Sequence, residues 1–410
     1  MKQFPGTEYT LLDVWTPTKV FPYRTLVPSY KHLSAHPKQW KILYYVSNTR
    51  IYEKITDVHS KFTCYDKIEK QLDHYDADVV VSVHPTMNRL PMLAMRNIAK
   101  KRGKEIPFFT VVTDFGSGHC TWFQNGVDKM YIASKRIYNL AKKRGGVPDD
   151  KLVMTGLPIR DGFAIQAERQ GDRTSHQGQS YAKKMKEVIG VDSRKRMILV
   201  MGGGEGVGSL STITHSLYHK LREDGIDATI CVVCGRNEKL REELQSADWD
   251  SVYNSFAAKS KKGKIKSALK RILRRSEDNS AATNAREGDV DVVGLGFITN
   301  MDEYMVAADV LVSKAGPGTI AEAAAVGLPV MITSFLPGQE AGNVDIVLDG
   351  GFGDFKKEPK KIAEGVASWL LDNKKLDEMS KMSTAAGNPS AAADIVEDIG
   401  RITHECMKKR

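Results

Sequence analysis

Short apolar runs alternate with longer amphipathic patterns along almost the whole chain. The runs predict strands at 9–14, 78–84, 108–113, 130–133 and 152–155 in the first half, and at 197–201, 228–234, 290–293, 309–313 and 329–333 in the second. The patterns between them predict helices at 86–101, 135–144, 209–223, 238–247 and 319–326. Because strand–helix alternation favours parallel sheets covered on both faces, the fold class predicted is α/β.

A polar stretch divides this alternating pattern into two halves. Residues 166–181 contain Gly171, Gly178 and several Ser, Thr and Gln residues, which is typical of a linker. We therefore predict two Rossmann-like domains with a cleft between them. The predicted boundaries are 1–165 for the first domain, 166–190 for the linker, 191–390 for the second domain, and 391–410 for a C-terminal helix that packs back on the first domain.

The composition is that of an ordinary globular protein. Of the 410 residues, 41% are hydrophobic and 27% are charged, which excludes a fibre or a wholly disordered chain. No window approaches the ~18–20 apolar residues that a membrane-spanning helix needs. The first residues have neither the apolar core of a signal peptide nor the character of a transit peptide.

The cysteine pattern argues against a disulfide framework. The five cysteines are odd in number and scattered, at positions 64, 120, 231, 234 and 406, which favours a reducing compartment. Cys231 and Cys234 have the spacing of a zinc or redox pair, and that alternative stays open. Their place inside the apolar run 230–234, without a second pair, favours buried apolar residues.

The net charge of +10 comes from one segment. Residues 259–275 carry nine Lys or Arg and no acidic residue, within an insertion at 254–289. Apolar residues at 265, 268, 269, 272 and 273 form one helical stripe, which predicts a helix lying on an anionic membrane. The membrane contacts would include Lys264, Lys270, Arg271 and Arg274. A solvated loop is the main alternative, and nucleic-acid binding is disfavoured because no recognised module accompanies the charge.

Three loops after strands of the second half contain residues suited to a nucleotide sugar. The glycine-rich loop 202–206 permits close approach of backbone to an anion, but it is neither a dinucleotide fingerprint nor a Walker loop. At 316–319, a Gly-Pro-Gly turn and Thr319 at a helix start would direct amides and a hydroxyl at phosphate, although Thr319 could be a simple N-cap. Glu322 would accept bonds from ribose, and Gln339 and Glu340 in the third loop suit sugar hydroxyls.

These loops, together with Gly-Leu-Pro-Ile-Arg at 156–160, resemble those of GT-B glycosyltransferases. The closer resemblance is to the monogalactosyldiacylglycerol synthases of plastids and to their relative, the peptidoglycan N-acetylglucosaminyltransferase. In the first half, residues 81–85, 112–114 and 119–123 are similar to motifs of the galactolipid enzymes. The resemblance runs from about residue 9 to about residue 402. It implies inverting transfer of galactose from UDP-galactose to 1,2-diacylglycerol, with no bound cofactor or metal, by a peripheral protein of a chloroplast envelope or thylakoid membrane.

The resemblance also implies roles for individual residues. The donor would be held by Arg160 at the diphosphate, Gly203 and Gly204 on the donor side, Phe297 and Ile298 at uracil, Gly316, Pro317, Gly318, Thr319 and Ile320 at the phosphates, Glu322 at ribose, and Gln339 and Glu340 at galactose. Pro85, Trp122 and Phe123 would contact the acceptor or the membrane, with a core role as the alternative for the two aromatic residues. Asp289 and Asp291 have the spacing of a metal-binding pair, but they open an apolar strand, which disfavours metal binding.

An inverting transfer needs a base that takes the acceptor proton. Asp114, His84 and His119 are the candidates, and a loop-orienting hydrogen bond is the alternative role of each. The family usually has an important histidine in a Gly-Gly-Gly-His loop after its first strand, and this sequence contains neither that strand nor that loop. We therefore expect an incomplete first domain without its transit peptide, in which a strand edge is left unpaired.

The resemblance leaves other functions open. The expected partners are diacylglycerol and anionic lipids, with no nucleic acid, and the sequence predicts no oligomeric state. A related lipid glycosyltransferase could use UDP-glucose or UDP-N-acetylglucosamine. A catalytically inactive, membrane-bound UDP-sugar binder and a nucleotide-sugar epimerase on a similar fold are the remaining alternatives.

Overall fold

The computed structural model describes residues 3–202, 210–254 and 286–409. Its first sheet has four parallel strands in chain order: β1 (Val80–Ser82), β2 (Phe108–Val111), β3 (Lys129–Ile132) and β4 (Leu152–Met154). Strand β2 is buried along its whole length because helices cover both faces. Strand β1 is an edge, and Val81 and Val83 beside it are 39% and 54% exposed.

The second sheet has six parallel strands. They are β5 (Arg196–Met201), β6 (Ala228–Val233), β7 (Val290–Leu295), β8 (Val310–Lys314), β9 (Val330–Ser334) and β10 (Gly353–Phe355), in the order β10-β9-β8-β5-β6-β7. Strands β5 and β8 lie at the centre and read as continuous apolar runs, as expected for strands buried on both faces. The predicted architecture of two parallel α/β domains is confirmed.

Fifteen α-helices lie within the described ranges. They are α1 (Leu26–Ser34), α2 (Pro37–Ser47), α3 (Arg50–Asp73), α4 (Arg89–Arg102), α5 (Lys135–Leu140), α6 (Asp161–Gln170), α7 (His176–Val188), α8 (Leu210–Glu223), α9 (Glu238–Ser246), α10 (Met301–Ala307), α11 (Pro317–Ala325), α12 (Ala341–Asp349), α13 (Pro359–Leu371), α14 (Asn373–Ala386) and α15 (Ala391–Lys408). Among the described residues, no helix has the length and apolar character needed to span a membrane.

The strand predicted at 9–14 is wrong. These residues have no regular secondary structure, and Tyr9 and Leu11 are 69% and 86% exposed. The Asp13 carboxylate accepts hydrogen bonds from the backbone N–H groups of Trp15 (2.9 Å) and Thr16 (3.2 Å), which turns the chain. The apolar run is present, but in the described structure no neighbouring strand pairs with it.

The linker predicted at 166–190 is also wrong, because α6 and α7 occupy most of it. Phe163 and Met185 from these helices are buried in the core of the second domain. The Lys186 ammonium, buried at the same face, lies 2.9 Å from the Asp309 carboxylate at the start of β8. The polar residues of this stretch lie on the outer faces of the two helices. The connection between the domains is instead residues 156–160, between β4 and α6.

The last helix returns to the first domain. Ile395 of α15 is buried against Phe109 and Tyr131 of the first sheet. The Asp398 carboxylate on the same helix accepts hydrogen bonds from Lys129 Nζ (2.8 Å) and the Tyr131 hydroxyl (2.9 Å). The chain therefore crosses between the domains twice, and both crossings stabilise their relative position.

Candidate functional site

The two domains meet where the loop that follows β2 approaches the start of α12. The Gly116 N–H donates to Asn343 Oδ1 at 2.7 Å, and the Gly342 N–H donates to Ser117 Oγ at 2.9 Å. A Cβ atom added at Gly116 or at Gly342 would overlap the backbone of the other residue, so this approach requires glycine on both sides. We call Gly116, Ser117, Gly342 and Asn343 the interdomain clasp.

Asn343 also connects the clasp to residues 315–319, the turn predicted to bind phosphate, which we call the phosphate loop. Its side chain is 1% exposed, and its amide donates to the Ala315 carbonyl at 2.9 Å while its oxygen accepts from Gly116. One buried amide therefore fixes a first-domain loop against the loop that opens α11. The sequence analysis missed Asn343, although it lies only three residues after Glu340.

Within the phosphate loop, helix α11 begins two residues earlier than predicted, at Pro317. Gly316 is the N-cap and Pro317 is the first helical residue, a position where proline's missing N–H is not needed. The amides of the first turn lack partners within the helix and can bind an anion. A Cβ added at Gly318 would meet open space, whereas the Ile320 side chain is wholly buried, so Ile320 can offer only its backbone.

Arg160 and Glu322 form a bidentate ion pair between the domain junction and α11. Arg160 Nε lies 2.7 Å from Glu322 Oε1, and Nη2 lies 2.9 Å from Oε2. The guanidinium also stacks over the Phe163 ring at 4.9 Å, and the hydrogen bond to Glu322 raises the pKa of Arg160. The two residues predicted for diphosphate and ribose are thus brought together.

Residues 335–340, between β9 and α12, contain the two residues predicted to bind galactose, and we call them the sugar loop. This loop carries a buried carboxylate and an amide whose oxygen is buried. The Glu340 side chain is bonded to Lys314 Nζ, and its Oε2 accepts the Leu336 N–H at 2.7 Å. Gln339 Oε1 is buried and has no hydrogen-bond partner among the described residues. Lys314 was missed as a site residue even though it ends β8, just before the glycine turn.

Asp114 is a buried carboxyl at the end of the first domain's β2 loop. Trp122 Nε1 donates to its Oδ2 at 2.7 Å, and the His119 backbone N–H also donates to it. Burial, with a smaller contribution from nearby Glu340, raises the pKa of Asp114 to about 6 even though the two hydrogen bonds lower it. A carboxyl with this pKa is ionised at neutral pH and can accept a proton.

The two candidate histidines are held by local hydrogen bonds. His119 Nε2 lies 3.1 Å from Ser47 Oγ and Nδ1 lies 2.8 Å from Thr121 Oγ1, and burial lowers its pKa to about 4, so the ring is neutral. His84 Nδ1 lies 3.0 Å from Thr86 Oγ1, and desolvation lowers its pKa as well. Of the three candidate bases, Asp114 is the one whose pKa is raised toward neutral pH, whereas burial lowers the pKa of both histidines.

Trp122 and Phe123 are 1% and 3% exposed, so the prediction that they contact a membrane is wrong. Both rings fill the core of the first domain, and the Trp122 indole reaches Asp114 from within it. Pro85 begins a short 3₁₀ turn after β1 and is half-buried. Phe297 is 74% exposed after β7, whereas Ile298 packs against the second-domain core.

The metal alternatives find no support in the described structure. Asp289 and Asp291 both lie 2.7 Å from Lys195 Nζ, so a lysine occupies their carboxylates. Cys231 and Cys234 are wholly buried free thiols. Within the described ranges, no cluster of His, Cys, Asp and Glu has the arrangement of a metal site. Gly203, Gly204, Lys264, Lys270, Arg271 and Arg274 lie outside the described residues.

Helix α3 exposes an apolar stripe that the sequence analysis missed. Ile51, Ile55, Val58 and Phe62 are 74%, 62%, 58% and 86% exposed, and their spacing places them on one face. We call these four residues the outer stripe. Contiguous exposed apolar surface of this kind marks contact with a protein or a membrane.

Comparison with known proteins matches both halves of the chain. Residues 2–159 match the family model of monogalactosyldiacylglycerol synthase, and residues 251–398 match the C-terminal domain of glycosyltransferase family 28. Monogalactosyldiacylglycerol synthase 1, chloroplastic, of Arabidopsis thaliana is 31% identical over 99% of this chain and 66% of its own length. Monogalactosyldiacylglycerol synthase 3, chloroplastic, of the same plant is 31% identical over 98% of this chain and 76% of its own length.

The fold is that of the GT-B glycosyltransferases. The crystal structure of MurG from Acinetobacter baumannii aligns with a TM-score of 0.51 and 14% identity, covering 82% of this chain and 77% of that one. The chain spans about two thirds of the first curated relatives it matches, 66% and 67% of their lengths. From the identity and coverage of these relatives, the chain belongs to the monogalactosyldiacylglycerol synthase family of glycosyltransferases.

Proposed function

We propose that this chain transfers galactose from UDP-galactose to the free hydroxyl of 1,2-diacylglycerol, with inversion, at the surface of a chloroplast membrane. The observation that carries the proposal is that Asp114 of the first domain lies near enough to Glu340 of the second for their charges to interact, next to the interdomain clasp. A carboxyl suited to deprotonate an acceptor would then lie near a carboxylate suited to bind a sugar. The names of the relatives support the lipid product.

The donor would bind by exchanging partners within the second domain. The first-turn amides of α11 and the Arg160 guanidinium would bind the diphosphate, and Glu322 would accept hydrogen bonds from the ribose hydroxyls. Gln339 and Glu340 would hold the galactose. Before the donor binds, Arg160 and Glu322 satisfy each other, so the buried Glu322 carboxylate is not left without a partner.

The transfer step would join the acceptor oxygen to the anomeric carbon of galactose. The acceptor attacks from the side opposite UDP, and the electron pair of the breaking carbon–oxygen bond leaves with the diphosphate. Asp114 takes the acceptor proton as the new bond forms. The positive end of α11 and Arg160 stabilise the charge that develops on the leaving diphosphate. The step requires no metal from the protein.

Membrane association would bring the lipid acceptor to this cleft. The outer stripe supplies apolar side chains, and Lys54 and Lys61 lie on the same helix. An apolar face flanked by basic residues favours an anionic lipid surface. The basic insertion would add to this attraction from the second domain.

The test is transfer of labelled sugar to diacylglycerol in vesicles that contain anionic lipid. Parallel reactions supply UDP-galactose, UDP-glucose or UDP-N-acetylglucosamine. We expect labelled galactolipid from the first donor alone. Label from another donor would reassign the sugar, UDP binding without lipid product would indicate an inactive binder, and conversion of the free UDP-sugar without lipid would indicate an epimerase.

A further inference from the structure

Three aromatic side chains of the first two helices form a cluster above the candidate site. The Trp40 ring on α2 lies edge-on to Tyr30 of α1, with ring centres 5.3 Å apart, and 6.3 Å from the ring of Tyr44. Tyr44 in turn lies edge-on to His119 at 5.6 Å. Trp40 and Tyr44 are four residues apart and therefore share a face of α2. We call Tyr30, Trp40 and Tyr44 the aromatic cluster.

The cluster touches the sugar loop of the second domain. A Cβ atom added at Gly338, whose φ is +84°, would overlap the Tyr44 ring, so the ring lies directly on the loop backbone. The Tyr30 phenol lies beside Gln339, and burial, together with nearby Glu340 and Asp114, raises its pKa. Residues of the N-terminal helices therefore border both the sugar-binding side chains and the candidate base.

The Trp40 indole N–H is buried and has no hydrogen-bond partner among the described residues. Three other indole groups donate hydrogen bonds: Trp15 to the Thr86 carbonyl at 3.2 Å, Trp122 to Asp114 at 2.7 Å and Trp249 to the Leu244 carbonyl at 3.2 Å. A buried N–H without a partner is costly, and native structures contain few of them. Gln339 Oε1, in the sugar loop that touches the cluster, is also buried without a hydrogen-bond partner among the described residues.

The same two helices present apolar side chains to the outside. Val27 on α1 and Ile42 and Val46 on α2 are 53%, 69% and 49% exposed. The aromatic cluster therefore lies between an apolar exterior, where acyl chains could rest, and the polar groups of the cleft. A lipid with an apolar tail and a polar glycerol end matches this order of surfaces.

We propose that Trp40 determines specificity for the acceptor by donating its indole N–H to an oxygen of the acceptor's glycerol backbone. This inference rests on the proposed function and names the contact that selects the lipid. Tyr30 and Tyr44 form the walls that hold the indole beside the sugar loop. The acceptor hydroxyl would then enter between the aromatic cluster and Asp114.

The experiment compares Trp40→Phe with the unchanged protein, using diacylglycerol and a long-chain primary alcohol as acceptors in the same vesicles. Phenylalanine keeps an apolar ring and removes the N–H. We expect KM for diacylglycerol to rise about tenfold, the size expected for one hydrogen bond. We also expect the preference for diacylglycerol over the alcohol, which lacks the glycerol oxygens, to fall by a similar factor. The slow hydrolysis of UDP-galactose without lipid should not change.

Two further variants separate hydrogen bonding from packing. Trp249→Phe removes an indole N–H far from the cleft and should change neither KM nor acceptor preference. Trp40→His keeps a ring N–H and should restore part of the preference even if Trp40→Phe is unstable. An active Trp40→Phe with unchanged KM and preference would overturn this inference alone. If the unchanged protein makes no galactolipid, the proposed function fails first, and the inference fails with it.

Discussion

Replacing Asp114 with asparagine should abolish transfer while making the protein more stable. The amide has nearly the shape of the carboxylate, and its oxygen can still accept the Trp122 N–H. It cannot take a proton from the acceptor at neutral pH. Loss of a general base typically costs about 10²–10⁴-fold in rate, and we expect a loss of this size in kcat.

The gain in stability follows from the pKa of the buried carboxyl. A rise from 3.8 to about 6 corresponds to ~3 kcal/mol spent on ionising Asp114 in the folded state. Because the folded pKa is the higher one, this cost is absent below pH 3.8, grows as pH rises, and is complete above pH 6. Asp114→Asn should therefore raise the free energy of unfolding by up to ~3 kcal/mol at pH 8 and by about half as much at pH 5.

Urea unfolding at the two pH values measures this difference, and galactolipid synthesis measures the activity. The unchanged protein should also lose kcat/KM as pH falls below about 6, as Asp114 becomes protonated. Asp291→Asn, which alters an exposed carboxylate paired with Lys195, is the matched control and should leave kcat unchanged. An Asp114→Asn variant that keeps its activity, or whose stability gain is independent of pH, would refute the reasoning.

Three further predictions test other parts of the molecule. Glu322→Gln breaks the bidentate pair with Arg160 and should weaken UDP binding about 10–100-fold by calorimetry; unchanged affinity would remove Glu322 from the donor site. Gly342→Ala forces a methyl group against the Gly116 backbone, so it should lower kcat at least about tenfold and also lower the unfolding temperature; full activity would show that the clasp need not close. Phe62→Ser should reduce binding to anionic vesicles about tenfold, while activity on detergent-dispersed diacylglycerol stays the same; equal vesicle binding would exclude the outer stripe as a membrane contact.

The sheets were largely predictable because parallel strands buried on both faces are continuous apolar runs. The runs at 197–201 and 228–234 became neighbouring strands of the second sheet. The same rule failed at 9–14, where an apolar run is present but no described strand pairs with it. The prediction of a linker failed at 161–188, because most residues of α6 and α7 are polar and face outward. Only a few, such as Phe163 and Met185, are buried and fix the two helices to the second domain.

The site was predictable only where its residues lie in one local motif. Glu322 and Glu340 follow strands at positions that the glycine-rich turns mark, and Asp114 follows β2 in a similar way. Trp40 and Asn343 gave no comparable signal. Their significance depends on which loops of the two domains approach one another, and no local spacing in the sequence specifies that approach.

Under the proposed function, the geometry of the cleft leads us to expect that the donor binds before the acceptor. Glu340 is paired with Lys314 of its own domain, whereas Tyr44 of the first domain lies on the neighbouring Gly338 backbone. A lipid seated against Tyr44 would cover the loop that is proposed to hold galactose, so it would block the donor if it bound first. With UDP-galactose already bound, the same covering would exclude water from the anomeric carbon and would leave Asp114 as the nearby proton acceptor. The proposed arrangement would therefore favour transfer to lipid over hydrolysis, because the acceptor itself would close the site.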